Sequence, residues 1–130
     1  MGLRIYNSLT RQKEEFVPLK EGEVKMYVCG PTVYDYVHVG NFRGPIFFNL
    51  VRNWLEKLGY KVEYALNFTD VDDKIINRAN QEGVPASEIS ERFIEEYKKD
   101  FAALKLRPHT YNPKVTETMG PILELIDTLV

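Results

Sequence analysis

One stretch constrains this chain more than any other: Met26 to Asn41, MYVCGPTVYDYVHVGN. Before it, apolar residues alternate with polar ones. Val24, Met26 and Val28 share one face, and Lys25, Tyr27 and Cys29 share the other. That period of two predicts a strand over Glu23–Cys29. Gly30-Pro31 ends it, because glycine permits a turn and proline cannot donate to a ladder. From Phe42 the period lengthens. Phe42, Ile46, Phe47, Leu50, Val51, Trp54, Leu55 and Leu58 form one wide apolar stripe of a helix, with Arg52, Asn53, Glu56 and Lys57 on its wet face. Pro45 is expected in the first turn and Gly59 as the C-terminal cap. A strand, a tight turn and a helix start make up the unit with which α/β proteins hold phosphates.

The next segment repeats the alternation. Tyr60–Leu66 reads as a strand with Val62, Tyr64 and Leu66 on one side. Strand, helix, strand over this length implies a crossover with parallel strands. Thr69 or Asp70 is expected to cap the following helix, Thr69 pairing with Asp72 in a capping box. Ile75, Ile76 and Ala79 are its apolar positions and Gly83 closes it. A further helix opens at Val84–Ser87, with Ile89, Phe93, Ile94, Tyr97, Phe101 and Leu104 as its stripe. Lys105–Pro113 reads as a connector. Thr116 is the expected cap of a last helix carrying Met119, Ile122, Leu123, Ile126, Leu129 and Val130. That helix carries no stop signal, so the chain reads as cut within an element, a fragment of something longer. At the other end Leu3–Asn7 alternates as a short strand and Ser8–Glu15 reads as a polar loop. Phe16–Pro18 is a second extended piece, which Pro18 confines to an edge.

Bulk properties remove several function classes. The 130 residues are 44% hydrophobic and 28% charged, with a net charge of −2, which fits one globular domain without the basic face of a typical nucleic-acid binder. A single cysteine excludes an internal disulfide. With no apolar run of membrane-spanning length and no signal peptide, no membrane partner is expected and the cytoplasm is the expected compartment. Neither a Walker-type loop nor Gly-x-Gly-x-x-Gly occurs, which disfavours kinases of that class and nicotinamide enzymes.

A few residues remain that can carry chemistry. Cys29 ends a strand of a parallel sheet, where ligands sit; it is either a small core residue or a thiolate ligand. A tetrahedral zinc needs three more donors, and His38 and His109 are the other soft ones, so a complete site is not encoded. At the helix start, His38 and Asn41 can donate hydrogen bonds toward a phosphate, and Gly40 leaves room for a flat base to approach the backbone. Acidic residues at 70, 72 and 73 suit a helix's first turn without further function. Thr69 could face the ligand beside Cys29. Tyr34, Asp35 and Tyr36 either line the pocket or pack the turn.

These same residues carry a resemblance. Tyr27–Asn41 (YVCGPTVYDYVHVGN) closely resembles the first signature of the cysteinyl-tRNA synthetase family, Asn67–Ala79 its second block, and Ile5–Glu14 its amino-terminal start. The resemblance implies a class I aminoacyl-tRNA synthetase: an α/β fold, the first half of a Rossmann-like parallel sheet with flanking helices. Residues 1–108 would be that half and 109–130 the start of an inserted connective region. His38 matches the first histidine of the HIGH-type motif. Asn41 stands where the last histidine stands, able to donate but not to carry a proton charge. The implied catalytic pair is His38 and Asn41. ATP would be held by Gly30, Pro31, Thr32, His38, Gly40 and Asn41, with Mg2+. The cysteine substrate would meet Cys29, Thr32 and Thr69. Cys29 matches the first zinc ligand, its partners and a KMSKS-type loop lying later in such chains. The implied partners are cysteine, ATP and tRNA(Cys). A fragment of this length is expected to be inactive alone. Two alternatives are an ATP-dependent ligase joining cysteine to an amino-sugar, as in mycothiol synthesis, and a non-catalytic nucleotide-binding fragment.

Overall fold

A computed structural model describes residues 3–130. Its frame is a parallel pair of strands, β3 (Glu23–Val28) and β4 (Lys61–Leu66), in register from Glu23↔Lys61 to Val28↔Leu66; the amino-terminal strands are β1 (Arg4–Asn7) and β2 (Gln12–Glu15). Helix α1 (Val39–Lys57) makes the crossover, followed by α2 (Asp73–Glu82), α3 (Ala86–Ala103) and α4 (Met119–Leu129). The expected α/β architecture is therefore present, and the period of two placed both strands of the parallel pair.

The core lies on one face of the sheet. Tyr64 and Leu66 of β4 pack with Phe42 of α1, Ile75 and Ala79 of α2, and Ile89, Phe93, Ile94, Tyr97 and Phe101 of α3. A smaller cluster joins Val24 and Val62 to Leu55 of α1. The opposite face carries Lys25, Glu63 and Tyr27, the last 63% exposed.

Several ends differ from expectation. Helix α1 begins three residues earlier, at Val39, so Pro45 sits in its second turn, where its missing N–H leaves the Asn41 carbonyl without the usual partner. The other end matches: Gly59, with φ +95°, follows the C-cap Leu58. The amides of Gly59 and Tyr60 close onto Glu56 O and Leu55 O at 2.9 and 3.1 Å. Asp72, not Thr69 or Asp70, caps α2, its side chain accepting from Lys74 N at 2.9 Å. Asp70 is buried and accepts from Thr116 N at 3.1 Å and from the Thr116 hydroxyl. Thr116 is thereby used up, and α4 starts after Thr118 instead. Leu104, the C-cap of α3, is 46% exposed rather than part of the stripe.

Ser8–Glu15 is not a loop throughout. β2 pairs antiparallel with β1, from Arg4↔Glu15 to Asn7↔Gln12. Asn7 makes the turn: its side chain accepts from Leu9 N and its carbonyl from Arg11 N, with Arg11 at φ +58°. β2 (Gln12–Glu15) is polar at every position, so it carries no alternation to read. Phe16 extends the ladder by one bond to Leu3 O. The connector also has structure. Residues 110–114 run parallel along the free edge of β4, with Thr110 N bonded to Tyr64 O, Leu66 N to Tyr111 O and Phe68 N to Pro113 O.

Candidate nucleotide site at the strand ends

Because α1 returns the chain to the start of a parallel strand, its first turn lies at the carboxyl end of the sheet. The loop 29–38 crosses that end and is laced to the segment after β4. Thr69 N donates to Pro31 O at 3.1 Å, Val33 N donates to Thr69 O at 3.2 Å, and Thr32 and Thr69 face each other in a parallel bridge. Gly30 is dictated by this closeness. A Cβ there would lie 1.6 Å from the Asn67 carbonyl oxygen and 2.7 Å from a Leu66 methyl, so no side chain fits without moving backbone. Asn67 holds the junction: its Oδ1 accepts from Gly30 N and from the Tyr27 hydroxyl, both at 2.9 Å, and its Nδ2 reaches the Thr69 hydroxyl at 3.4 Å. Asn67 was not among the residues expected to build the site. Its signal in the sequence was its place one residue beyond the last strand position, where a short polar side chain can bond neighbouring backbone.

The helix start is a reciprocal cap. His38 Nδ1 accepts from Gly40 N at 3.0 Å, and Asn41 Oδ1 accepts from His38 N at 2.9 Å. An amide can only donate, so the acceptor nitrogen of His38 is unprotonated and the proton sits on Nε2. The same logic fixes the Asn41 amide, leaving Nδ2–H as its free donor. The cap thus presents two N–H donors, His38 Nε2 and Asn41 Nδ2, at the positive end of α1, and both side chains are exposed. A Cβ at Gly40 would meet His38 Cε1 at 2.7 Å and Nδ1 at 2.9 Å, so the missing side chain leaves room for the capping imidazole.

Cys29 is exposed at the strand tip rather than packed in the core; its sulfur lies 3.7 Å from the Gly30 carbonyl oxygen. Among the described residues no three His, Cys, Asp or Glu side chains are placed to hold a metal ion. These residues alone therefore do not make a complete zinc site, and no chemical step is derived through a metal. His109 is in another place altogether. Its ring packs edge-on against Tyr64 at 4.6 Å and beside Phe101 at 4.8 Å, and burial lowers its pKa to about 4. Tyr34, Asp35 and Tyr36 pack the turn: Lys74 lies over the Tyr34 ring, Arg78 pairs with Asp35, and Tyr36 sets its ring against Phe93.

A parallel βαβ unit with backbone and side-chain donors gathered at the strand ends defines the nucleotide-binding class of α/β proteins. Comparison with known proteins makes this specific. The family model described as "tRNA synthetases class I (C) catalytic domain" matches residues 15–130. The cysteine–tRNA ligase of Bdellovibrio bacteriovorus is 67% identical over 128 residues, 98% of this chain and 27% of that protein. Those of Lachnoclostridium phytofermentans and Bacillus cytotoxicus are 56% and 57% identical, over 27% and 28% of their lengths. The chain belongs to the class I tRNA synthetase (C) catalytic-domain family, as its two signature blocks implied. It spans about a quarter of the length of these curated relatives.

Proposed function

We propose that this chain is the first half of the catalytic domain of a cysteine–tRNA ligase, and that the His38–Asn41 cap is where ATP phosphates are held. The observation that carries the reading is the cap itself: it uses His38 Nδ1 and Asn41 Oδ1 and leaves two N–H donors free on exposed side chains at the helix start. In the proposed reaction the carboxylate of cysteine attacks the α-phosphate of ATP and pyrophosphate leaves. A hydroxyl of the terminal ribose of tRNA(Cys) then takes the cysteinyl group from the resulting adenylate, and AMP leaves. Such a transfer needs positioning and charge stabilisation above all. His38 Nε2–H and Asn41 Nδ2–H stabilise phosphate oxygens, helped by the α1 dipole. Gly30, Pro31 and Thr32 shape the adjoining wall, and Thr32 and Thr69, with Cys29, are the groups nearest to hand for the amino acid. Zinc, if Cys29 helps to hold it, needs three further donors, and these residues alone do not complete that set; it would select a thiolate over a hydroxyl. Mg2+ would accompany ATP.

We further propose that the inserted connective region starts after residue 108 in the longer protein and that its compartment is the cytoplasm. No helix among the described residues is long and apolar enough to cross a membrane. The names of the relatives favour transfer to tRNA over an amino-sugar acceptor. The decisive experiment is cysteine-dependent ATP–pyrophosphate exchange. A chain extended to the length of its relatives should catalyse it, and these 130 residues alone should not. In the extended chain Asn41→Asp keeps the cap acceptor but removes the free donor and adds charge. Exchange should then fall by on the order of a hundredfold; an unchanged rate would refute the assignment of Asn41.

A further inference from the structure

The loop that delivers His38 to α1 is held from below by a cluster that phosphate binding does not use. Arg78 of α2 reaches up to Asp35 with Nη1 at 2.9 Å from Oδ1, and its Nε bonds Glu82 at 2.8 Å. Its guanidinium lies 4.8 Å from the centre of the Phe93 ring, whose other guanidinium neighbour, Arg92, lies at the same distance and bonds Glu82 in turn. Tyr36, next to Asp35, sets its ring edge-on to Phe93 at 5.3 Å. Asp35 Oδ1 also accepts from Tyr36 N at 2.8 Å, so one carboxylate oxygen ties the loop to itself and to α2. Glu82, Arg92 and Phe93 sit on α2 and α3, and Asp35 and Tyr36 on the loop, three and two residues before the capping histidine.

The exposure of this cluster argues for placement over stability. The Arg78 and Asp35 side chains are 29% and 47% exposed. Ion pairs that wet contribute little to global stability. A two-pronged guanidinium is suited instead to fixing direction, since it holds Asp35 and Glu82 at once in one plane. We propose that Arg78 is a positioning residue: through Asp35 it anchors residues 34–36 and thereby sets the register in which His38 caps α1. Its bearing on ATP rests on the reading of the cap given above; the anchoring itself does not.

The test reads the cap directly, in this chain and without nucleotide. The Gly40 amide donates to His38 Nδ1, so its hydrogen exchange reports whether the cap is closed. In Arg78→Ala and in Asp35→Asn, Gly40 should exchange faster by about tenfold, while amides in the middle of α1 keep their wild-type rates. The two ring nitrogens of His38, distinct in wild type, should move together in their nitrogen chemical shifts as the tautomer is released. Arg78→Lys retains charge without the fork and should fall between. Arg92→Ala serves as the control, because it removes the neighbouring pair and ring contact without touching the loop. Equal effects of Arg92→Ala and Arg78→Ala would reduce Arg78 to ordinary packing and overturn the proposal. So would wild-type Gly40 exchange in both Arg78→Ala and Asp35→Asn. A failed pyrophosphate-exchange experiment would leave this result standing, and the reverse also holds.

Discussion

At the scale of single residues, close approach decides more than side-chain chemistry does. Gly30→Ala would set a methyl 1.6 Å from the Asn67 carbonyl oxygen, so the β3 exit must shift. The expected result is a chain destabilised by roughly 3 kcal/mol or more, read by urea denaturation, in line with backbone strain and overpacking together. Gly44→Ala, whose Cβ meets nothing within 4 Å, should be tolerated. His109 makes a different prediction. Burial holds its folded pKa near 4, below the ordinary value of 6.5. Above pH 6.5 neither state binds the proton and the shift costs nothing. As pH falls from 6.5 to 4 the unfolded chain takes up a proton that the folded one refuses, and stability drops across that window. His109→Phe, which keeps an aromatic ring beside Tyr64 and Phe101, should flatten this part of the stability–pH curve; parallel curves would contradict the assignment. How much of this was legible varies by residue. His38 and Asn41 stood out in the sequence because their types suit phosphate. Their mutual cap did not, since it depends on where the helix begins. Asp70 read as a helix-start residue, and only the return of the chain at Thr116 shows it buried and satisfied.

At the scale of elements, periodicity sufficed wherever one side of an element is dry. β3, β4, α2 and α3 are such elements, and their apolar positions were placed correctly apart from Ile76 and Leu104, both exposed. It placed β1 but missed β2, whose residues are all polar or charged, and residues 110–114, which pair through backbone and carry no pattern. The polar side of α1 shows what fixes that last segment. Arg107 bonds Asn53 Oδ1 at 2.9 Å and also Glu56, while Arg52 bonds Pro108 O at 2.6 Å. The Arg107 guanidinium holds the Glu56 carboxyl below its usual range. What the sequence presents as a solvated face is thus a docking strip for the connector. Arg107→Ala should cost about 1 kcal/mol overall, since the cluster is partly exposed. Hydrogen exchange should quicken at Leu66 and Phe68, which donate to the strap, ahead of the rest of the sheet. Uniform loosening of both strands would show that Arg107 does not govern the strap.

At the scale of the whole molecule, the surface is the part that the sequence least foretold. The α1 stripe has the spacing of a buried face, yet Phe47, Leu50, Trp54 and Leu58 are 57%, 63%, 50% and 47% exposed. Phe47, Leu50 and Trp54, with Leu3, Ile5 and Phe16, bound an apolar cavity of about 690 Å³ between the ribbon, β3 and α1. It lies on the body of the helix, away from the cap, so this apolar hollow and the free donors of the cap are separate features. α4 adds to the exposed apolar surface, since it buries no residue and shows Leu123, Leu125, Ile126 and Leu129. A folded chain of this size seldom leaves so many large apolar side chains in water. Pattern analysis fails here for a physical reason: period reports which face is apolar, not what lies against it. The consequence is measurable. The folded 130-residue chain should bind an apolar fluorescent dye at neutral pH while keeping the near-ultraviolet circular dichroism of fixed aromatic rings. That combination separates an ordered apolar groove from a loosened core. Leu50→Lys with Trp54→Lys should remove most of the groove's share of the dye signal and leave the fold intact. The signal left over should then respond to Leu123→Lys and Ile126→Lys on α4. Dye binding unaffected by either pair would mean that neither surface is what the dye detects.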